Sequence, residues 1–242
     1  MYKSWDKNFY PNDLKNEKKL SYISKHYKTL EVNTTFYHFV KKDIFRKWYD
    51  ETTDNFIFSI KAPRFYTHLK RLKIDDEMIN SVRFFLSNIQ ELKEKLWSLL
   101  IQLPESFKEN KDRLELFFGL IAQILDDFEY KPDIAIEFRD SSWFKEEIYD
   151  LLKKFNVALV IANSSRYPYV IKTTADFSYM RFHWPERMFL WKYSEDELKY
   201  WKSEIDKFSK NLKKVYVYFN NDLDANAVEN ADFLMSLFNA NS

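Results

Sequence analysis

What this sequence lacks excludes several classes of function. The chain of 242 residues has no cysteine, which excludes disulfides, cysteine-held zinc, iron–sulfur clusters and thiol nucleophiles. It has one glycine, Gly119, whereas the phosphate loops of Walker and Rossmann proteins need several. No apolar run approaches the ~18 residues of a membrane span, and the N-terminus has no signal-peptide core. We therefore expect a cytoplasmic protein with no membrane partner.

The charges nearly cancel, and aromatic side chains are abundant. Lysine and arginine number 38 against 37 aspartates and glutamates, so the net charge of +1 gives no global basic field for nucleic acid. The 23 Phe, 16 Tyr and 7 Trp exclude a disordered chain. We expect a single domain over residues 1–242, which is long enough to bury a large core without disulfides or structural metal ions.

Short strand-like runs alternate with amphipathic helical stretches. Runs rich in Val, Ile, Phe and Tyr lie at 30–33, 56–61, 99–103, 134–138, 158–162, 179–183 and 215–219. Apolar spacings of three and four predict helices at 78–96, 114–125, 198–208 and 227–238, and Ser194 with Glu197 has the spacing of a capping box. This alternation predicts an α/β fold close to a TIM (β/α)8 barrel of ~250 residues, with a doubly wound open sheet as the alternative.

Several predicted strands carry polar residues on one face, unlike ordinary buried parallel strands. The two-residue period of a strand puts three pairs on shared faces: Glu31 with Asn33, Glu137 with Arg139, and Arg181 with His183. In a barrel such faces point inward, and late-strand residues reach the C-terminal mouth, where barrel enzymes hold their sites. The other strands end in, or are followed by, Lys61, Gln102, Asn163, Asn220 and Asp222. We therefore expect all seven strands to direct a polar group to one mouth.

This convergence has two interpretations. The first is a ligand site. The second is a set of interior ion pairs, such as Glu137 with Arg181 or Lys61, because buried charges must be paired. His183 fits a site residue and a hydrogen-bonded core histidine equally well. Gln102 and Asn163 are more often scaffold residues.

Residues 61–73 form a local basic segment. They include five lysines or arginines, His68 and no acid, and they follow a strand that ends at the mouth. A cationic rim suits phosphate, a sugar acid or a nucleic-acid backbone. The alternative interpretation is that the segment binds nothing and is only a solvated loop and the start of a helix. Aromatic residues able to stack on sugars or bases are Tyr37, Phe65, Tyr66, Trp143, Trp184 and Trp191.

The acidic residues suit two catalytic chemistries. Glu31, Glu137, His183 and Asp222 offer metal ligands, but no HxH or HExxH spacing supports them, so no metal is assigned. Two carboxylates that flank a bond can act as acid and base, which suits Glu31 and Glu137. The GxSxG motif of serine hydrolases is absent. The sequence leaves the cofactor unknown.

Six collinear segments resemble the YecE-like family, domain of unknown function seventy-two. They are LEVNTTFY at 30–37, FSIKAPR with Thr67-His68, LIQLP with Ser106-Phe107, IEFR with SWF, YMRFH at 179–183 and VYVYFNND at 215–222. The resemblance implies a TIM-barrel-like fold and no activity, because the family's biochemical role is unestablished. The family's motif positions fall on Glu31, Asn33, Lys61, His68, Gln102, Glu137, Arg139, Arg181, His183, Asn220, Asn221, Asp222 and Asn230.

The resemblance also implies a missing element. The family begins with a Gly-Thr-Ser-Gly-Trp strand, and this chain starts after it, at Tyr2-Lys3-Ser4-Trp5. We expect a barrel whose first strand is lacking or truncated. Either the true start lies upstream and Met1 is an internal methionine, or the barrel is open and its two unpaired edges favour oligomerisation.

The sequence thus predicts a hydrolase- or lyase-type enzyme for a small anionic or carbohydrate-containing substrate at the barrel mouth. Glu31 or Glu137 is the predicted general acid or base, and His183 the proton shuttle. The predicted substrate-binding residues are Asn33, Lys61, His68, Gln102, Arg139, Arg181, Asn220, Asn221 and Asp222. One alternative is a non-enzymatic binder of nucleic acid or nucleotide through the basic segment. Another is an assembly role for the open edges.

Overall fold

The computed structural model describes residues 3–6, 8–183, 192–221 and 225–239. Strands and helices alternate along these ranges, as the sequence predicted. The strands are β1 (Thr29–Val32), β2 (Ile57–Lys61), β3 (Leu96–Gln102), β4 (Asp133–Glu137), β5 (Ala158–Leu159), β6 (Ile161–Asn163), β7 (Phe177–Phe182) and β8 (Lys214–Phe219). The helices are α1 (Lys19–His26), α2 (Thr34–Tyr37), α3 (Lys42–Glu51), α4 (Asp76–Ile89), α5 (Lys111–Asp126), α6 (Glu146–Lys154), α7 (Glu195–Phe208) and α8 (Asn226–Asn239).

The strands pair in parallel and in chain order. β1 to β5 form one sheet and β6 to β8 a second. Only Val160 separates β5 from β6, and its N–H donates to the carbonyl of Ile136 in β4 at 2.8 Å. The wall therefore has seven strand positions in sequential order, which is barrel topology. A doubly wound sheet would reverse its strand order at a switch point, so that alternative is excluded.

The barrel is open between β8 and β1. Among the described residues, no backbone ladder joins these two strands. Side chains bridge the opening instead: the hydroxyls of Thr29 and Tyr218 lie 2.9 Å apart, and the Asn220 amide donates to Glu31 at 3.1 Å. A largely apolar cleft runs along this seam between β1, β8 and α8. The opening agrees with the predicted truncation of the barrel.

Apolar clusters of the described residues cover both faces of the wall. The outer core packs strand residues such as Phe58 and Ile60 against helix residues such as Phe85 and Phe117. The inner core fills the barrel with alanines from β4 to β6, facing tyrosines from β7 and β8: Ala135, Ala158, Ala162, Tyr179, Tyr216 and Tyr218. Small residues on one side make room for large ones on the other, so the barrel is packed below its mouth.

The helices show the expected end signals. Ser194 and Glu197 form the predicted capping box at the start of α7. The Asp75 carboxylate caps α4 by accepting a hydrogen bond from the Met78 N–H. Within the described ranges, no helix is both long and apolar enough to cross a membrane.

The predicted extent of the helix at 78–96 is wrong at its C-terminal end. The helix α4 stops at Ile89, a 3₁₀ segment follows, and Lys93 adopts a φ of 48° before β3 begins at Leu96. Leu92 and Leu96 fit the helical spacing because both are buried, but Leu92 lies in the 3₁₀ turn and Leu96 in the strand. Apolar spacing alone therefore cannot distinguish the helix, the 3₁₀ turn and the strand.

The open seam predicts uneven protection of backbone amides. β3 is paired on both sides, whereas β8 is paired with β7 alone among the described residues. Amides of β8 that face the seam should therefore exchange by local opening, faster than those of β3, which need global unfolding. Hydrogen exchange followed by NMR or mass spectrometry measures both. Equal protection in the two strands would show that β8 has a further pairing partner in solution.

Candidate functional site

The site lies on the inner face of the barrel, one layer above the packed tyrosines. The hydroxyls of Ser59 in β2 and Tyr179 in β7 meet across the barrel at 2.6 Å, which identifies the inward face of both strands. Two residues further along, Lys61 and Arg181 lie on that same face. The predicted alternation of β7 is therefore confirmed.

Arg181 is the centre of the site and is only 2% exposed. Its Nε and one terminal nitrogen donate to the two carboxylate oxygens of Glu31, at 2.9 and 2.7 Å. The other terminal nitrogen donates to Glu137, and also to Nε2 of His183 at 3.1 Å. One guanidinium therefore joins the carboxylates of β1 and β4, which is the fork geometry that favours arginine over lysine.

The Glu31 carboxylate is fully engaged. Besides Arg181, it accepts hydrogen bonds from the Tyr179 hydroxyl at 2.7 Å and from the amides of Asn33 and Asn220 at 3.2 and 3.1 Å. Burial alone would raise its pKa, but the charge and hydrogen bonds of Arg181, with help from Tyr179 and a neighbouring lysine, lower the pKa to about 2. Glu31 is therefore ionised at neutral pH.

Glu137 is equally enclosed. Its Oε1 accepts from Gln102 at 2.8 Å and from Nε of Arg139 at 2.9 Å, while Oε2 accepts from Arg181. Burial opposes ionisation, but the charge of Arg181, with that of Arg139, holds the pKa of Glu137 well below its usual range. This carboxyl is also ionised at neutral pH and carries no proton to donate as a general acid.

His183 is buried beside both charges. Burial and the positive charge of Arg181 lower its pKa, and the opposing attraction of Glu137 does not restore it. The imidazole is therefore neutral at pH 7. Because a guanidinium can only donate, Nε2 accepts the hydrogen bond from Arg181, and the imidazole proton is on Nδ1.

Lys61 is the buried cation of the site. The residue is 8% exposed, and its Nζ lies 4.2 Å from the centre of the Phe36 ring. Burial and the charge of Arg181 lower its pKa to about 7, despite the attraction of Glu137 and Glu31. The amine is therefore present in both protonation states at neutral pH.

His68 and Arg139 form the outer edge of the site. His68 lies in a π-helical turn, Phe65–Leu69, and its Nδ1 is 2.8 Å from the Thr67 hydroxyl. Burial and the nearby cations lower the pKa of His68 to about 4, so this imidazole is neutral. The guanidinium of Arg139 stacks on the ring of Tyr167 at 4.3 Å, and its side chain is 19% exposed. Arg139 is thus the network's most accessible cation.

The basic segment 61–73 is compact rather than an extended loop. Lys61 points into the barrel, and Lys70 is neutralised by ion pairs with Asp75 and Glu77. Two of the predicted stacking aromatics, Tyr66 and Trp143, are buried in the outer core. Trp184 and Trp191 lie outside the described residues, whereas Tyr37 is 63% exposed.

Two residues of the predicted motif positions, Asn221 and Asn230, lie away from this network. Asn221 is buried and donates to Asn230 at 2.9 Å, and Asn230 in turn bonds the backbone of Tyr193. This set holds the start of α8 to the chain before α7. Asp222 lies outside the described residues.

Asn163 corrects the expectation that every strand directs a polar group to the mouth. The inward positions of its strand are Val160 and Ala162, so Asn163 points outward. There its amide donates to Tyr169 at 3.2 Å and accepts from Tyr193 at 2.6 Å. It is a scaffold residue, and the prediction for this strand was wrong because it ignored the alternation.

Sequence reasoning missed two contributors. Tyr179 supports Glu31 from one layer below, and the two-residue period from Arg181 could have placed it there. Tyr167 supports Arg139, but it follows β6 in a loop where no periodicity applies. In the part of the chain that the structure describes, no group of three His, Asp or Glu side chains is placed to hold a metal ion.

The lowered pKa of Glu31 predicts how stability depends on pH. Its folded value of about 2 lies below the usual 4.5, so its contribution is complete above pH 4.5 and is lost as the pH falls through 2. The difference corresponds to about 3 kcal/mol. The unfolding free energy of Glu31→Gln should therefore lie below that of the wild type at pH 7, and the two should converge toward pH 2.

Urea unfolding at several pH values measures this convergence. Glu115→Gln is the control, because Glu115 makes an exposed ion pair with Lys154, and such pairs contribute little. Its unfolding free energy should follow the wild type across the pH range. A constant offset between wild type and Glu31→Gln at every pH would contradict the buried, ionised state of Glu31.

Known proteins resemble this chain along its length. The model of the family described as "Protein of unknown function DUF72" matches residues 1–242. The chain is 26% identical to UPF0759 protein YunF of Bacillus subtilis (strain 168) over 257 residues, 94% of this chain and 89% of that protein. It is also 26% identical to UPF0759 protein YecE of Escherichia coli (strain K12), over 48% of this chain and 40% of that protein.

Solved structures share the fold. A DUF72 family protein from Thermotoga maritima MSB8 superposes with a TM-score of 0.78 at 28% identity, covering 98% of this chain and 95% of that one. Another, from Enterococcus faecalis V583, gives a TM-score of 0.77 at 23% identity, covering 91% and 93%. With its sequential parallel strands and charged mouth, this chain belongs to the DUF72 family, as its sequence motifs suggested.

Proposed function

We propose that the mouth of the barrel is the active site of a hydrolase- or lyase-type enzyme acting on a small anionic or carbohydrate-containing substrate. The supporting observation is a surplus of positive charge among the described residues of the site. The carboxylates of Glu31 and Glu137 are balanced by the guanidiniums of Arg181 and Arg139. Protonated Lys61 adds a positive charge on the same inner face, which a substrate anion would neutralise.

The pKa values decide which proton-transfer roles are compatible with neutral pH. Glu31 and Glu137 are ionised, so of their predicted roles only that of a base is available. His183 is neutral, as its predicted role of proton shuttle requires. Lys61 titrates near pH 7 and is the group best placed to donate a proton and to take one back. Arg139 and Arg181 would stabilise negative charge that develops on the substrate.

Anion binding tests this proposal. Ligand at 100 times its dissociation constant should stabilise the fold by about 2.7 kcal/mol, which raises the melting temperature. Inorganic phosphate, sugar phosphates and sugar acids should be compared with their uncharged sugars. The shift from the anions should be largely lost in Arg139→Gln, because Arg139 is the most accessible cation of the network.

Arg166→Gln is the matched control. Arg166 stacks on the same Tyr167 ring as Arg139, at 5.1 Å, but pairs with Glu105 rather than with the site. This variant should keep the anion-induced shift. Equal losses in both variants would place anion binding at the Tyr167 surface rather than at the mouth, and no shift with any anion would contradict the proposal.

Nucleic-acid binding through the basic segment is the alternative function. The structure reduces its support, because Lys61 is inside the barrel, Lys70 is paired with acids, and Tyr66 and Trp143 are buried. We expect short oligonucleotides to bind weakly or not at all at physiological salt. Fluorescence anisotropy across salt concentrations measures this, and tight binding with a steep dependence on log salt would favour the alternative.

A further inference from the structure

The buried lysines of this protein differ in how their ammonium groups are satisfied. Among the described residues, Lys19, Lys61 and Lys95 are less than 9% exposed. Lys19 pairs with Asp6. Lys95 donates to the carbonyls of Tyr49 and Thr52 at 2.7 and 3.0 Å, and to the Thr52 hydroxyl at 3.2 Å. Both amines therefore have oxygen partners.

Lys61 has no such acceptors. Within the described ranges, no oxygen lies within hydrogen-bond distance of its Nζ, and no carboxylate lies within the 4.0 Å of an ion pair; its contact is the face of Phe36 at 4.2 Å. A buried ammonium with one ring face for a partner is costly, whereas a neutral amine is not. The geometry therefore increases the share of free amine at this position.

The charges around Lys61 also disfavour its protonated form. Arg181 of β7 and Arg139 after β4 repel a positive charge on Lys61. Glu31 and Glu137 attract it, but Arg181 and Arg139 already occupy their oxygens. The nearby imidazole of His68 is neutral. A desolvated lysine beside another cation is the arrangement in which an amine becomes a nucleophile near pH 7.

We propose that the Lys61 amine is a covalent nucleophile that forms an imine with an aldehyde or ketone group of the substrate. This inference rests on the proposed function in placing the substrate at the barrel mouth. The class of substrate is a small carbonyl compound that carries a carboxylate or phosphate. Arg139, at the outer edge of the site, would hold that anionic group while the carbonyl reaches Lys61.

The chemistry balances without an oxidant or a cofactor. The nitrogen lone pair forms a bond to the carbonyl carbon, and the C=O π electrons move to oxygen. A proton passes from nitrogen to oxygen, which gives a neutral carbinolamine. The C–O bond then breaks, the oxygen leaves as water with the second amine proton, and the C=N bond forms. A solvent proton converts the imine to an iminium, whose positive charge withdraws electrons from the substrate as lyase chemistry requires.

Reductive trapping tests the proposal on the full chain. The protein is incubated at pH 7 with glyoxylate and sodium cyanoborohydride, whose hydride converts an imine to a stable secondary amine. Peptide mapping by mass spectrometry then locates the label. An exposed lysine is largely protonated at pH 7. The neutral fraction of Lys61 is therefore larger than that of an exposed lysine by a factor on the order of 10³. Allowing for restricted access, Lys61 should carry at least about tenfold more label than any exposed lysine.

Two internal comparisons sharpen the result. Lys95 is also less than 9% exposed but is fully hydrogen-bonded, so it should stay unlabelled. Lys61→Arg keeps the positive charge and removes the nucleophile, so the dominant adduct should disappear from the intact mass. If that variant fails to fold, the peptide map of the wild-type protein still decides the question. Label spread evenly over exposed lysines, with none concentrated at Lys61, would overturn the proposal.

A second aldehyde separates this inference from the proposed function. Glycolaldehyde matches glyoxylate in carbon number but lacks the carboxylate. Preferential labelling of Lys61 by glyoxylate supports both the imine and the anion site. Equal labelling of Lys61 by the two aldehydes supports the nucleophile and counts against the anion preference. Absence of Lys61 labelling by either overturns the nucleophile and leaves anion binding to be judged by the melting-temperature experiment.

Discussion

A single guanidinium shared by two buried carboxylates organises the upper layer of this barrel. Removing these ions from water costs several kcal/mol each, and only near-complete hydrogen bonding offsets that cost. Arg181 meets the requirement by directing two nitrogens to Glu31 and the third to Glu137. Because these residues come from β7, β1 and β4, the network ties together strands from both sides of the open seam.

The network also determines what chemistry remains available. The acidic side chains are ionised and engaged, so they serve as fixed negative charges that hold the guanidiniums in place. His183 and His68 are kept neutral by burial and by those same guanidiniums. Among the described residues, none accepts a hydrogen bond from Lys61, whose amine lies on an aromatic face. Because the guanidiniums already occupy the carboxylates, the Lys61 amine has no acceptor among the described residues, and this is the origin that we infer for its reactivity.

Much of this arrangement was predictable from the sequence. The two-residue period of β7 and β4 placed Arg181 and Glu137 on inward faces, and the structure confirms both. The same rule, applied to Asn163, would have shown that it points outward. Side-chain pairing could not be predicted, because which oxygen of Glu31 accepts from which nitrogen depends on strand register and barrel curvature. The protonation state of Lys61 depends on that pairing, so it could not be predicted from the sequence either.

The limits of the helix predictions have a similar cause. Apolar spacing identifies buried positions but does not distinguish a helix from the turn and strand that continue its buried line, as Leu92 and Leu96 show. Conversely, the capping box at Ser194 is a local interaction, and its prediction was correct. Local chemistry was readable from the sequence, whereas contacts between distant segments were not.

A double-mutant cycle between Arg181 and Glu137 tests whether the fold depends on the buried guanidinium that the two carboxylates share. Unfolding free energies are measured in urea for wild type, Arg181→Met, Glu137→Gln and the double variant. Breaking a buried pair by removing one partner costs about 3–5 kcal/mol, because it leaves the other charge uncompensated. The double variant should be less destabilised than the sum of the two single variants, by more than about 1 kcal/mol. Additivity within about 0.5 kcal/mol would contradict a structure that depends on this shared guanidinium.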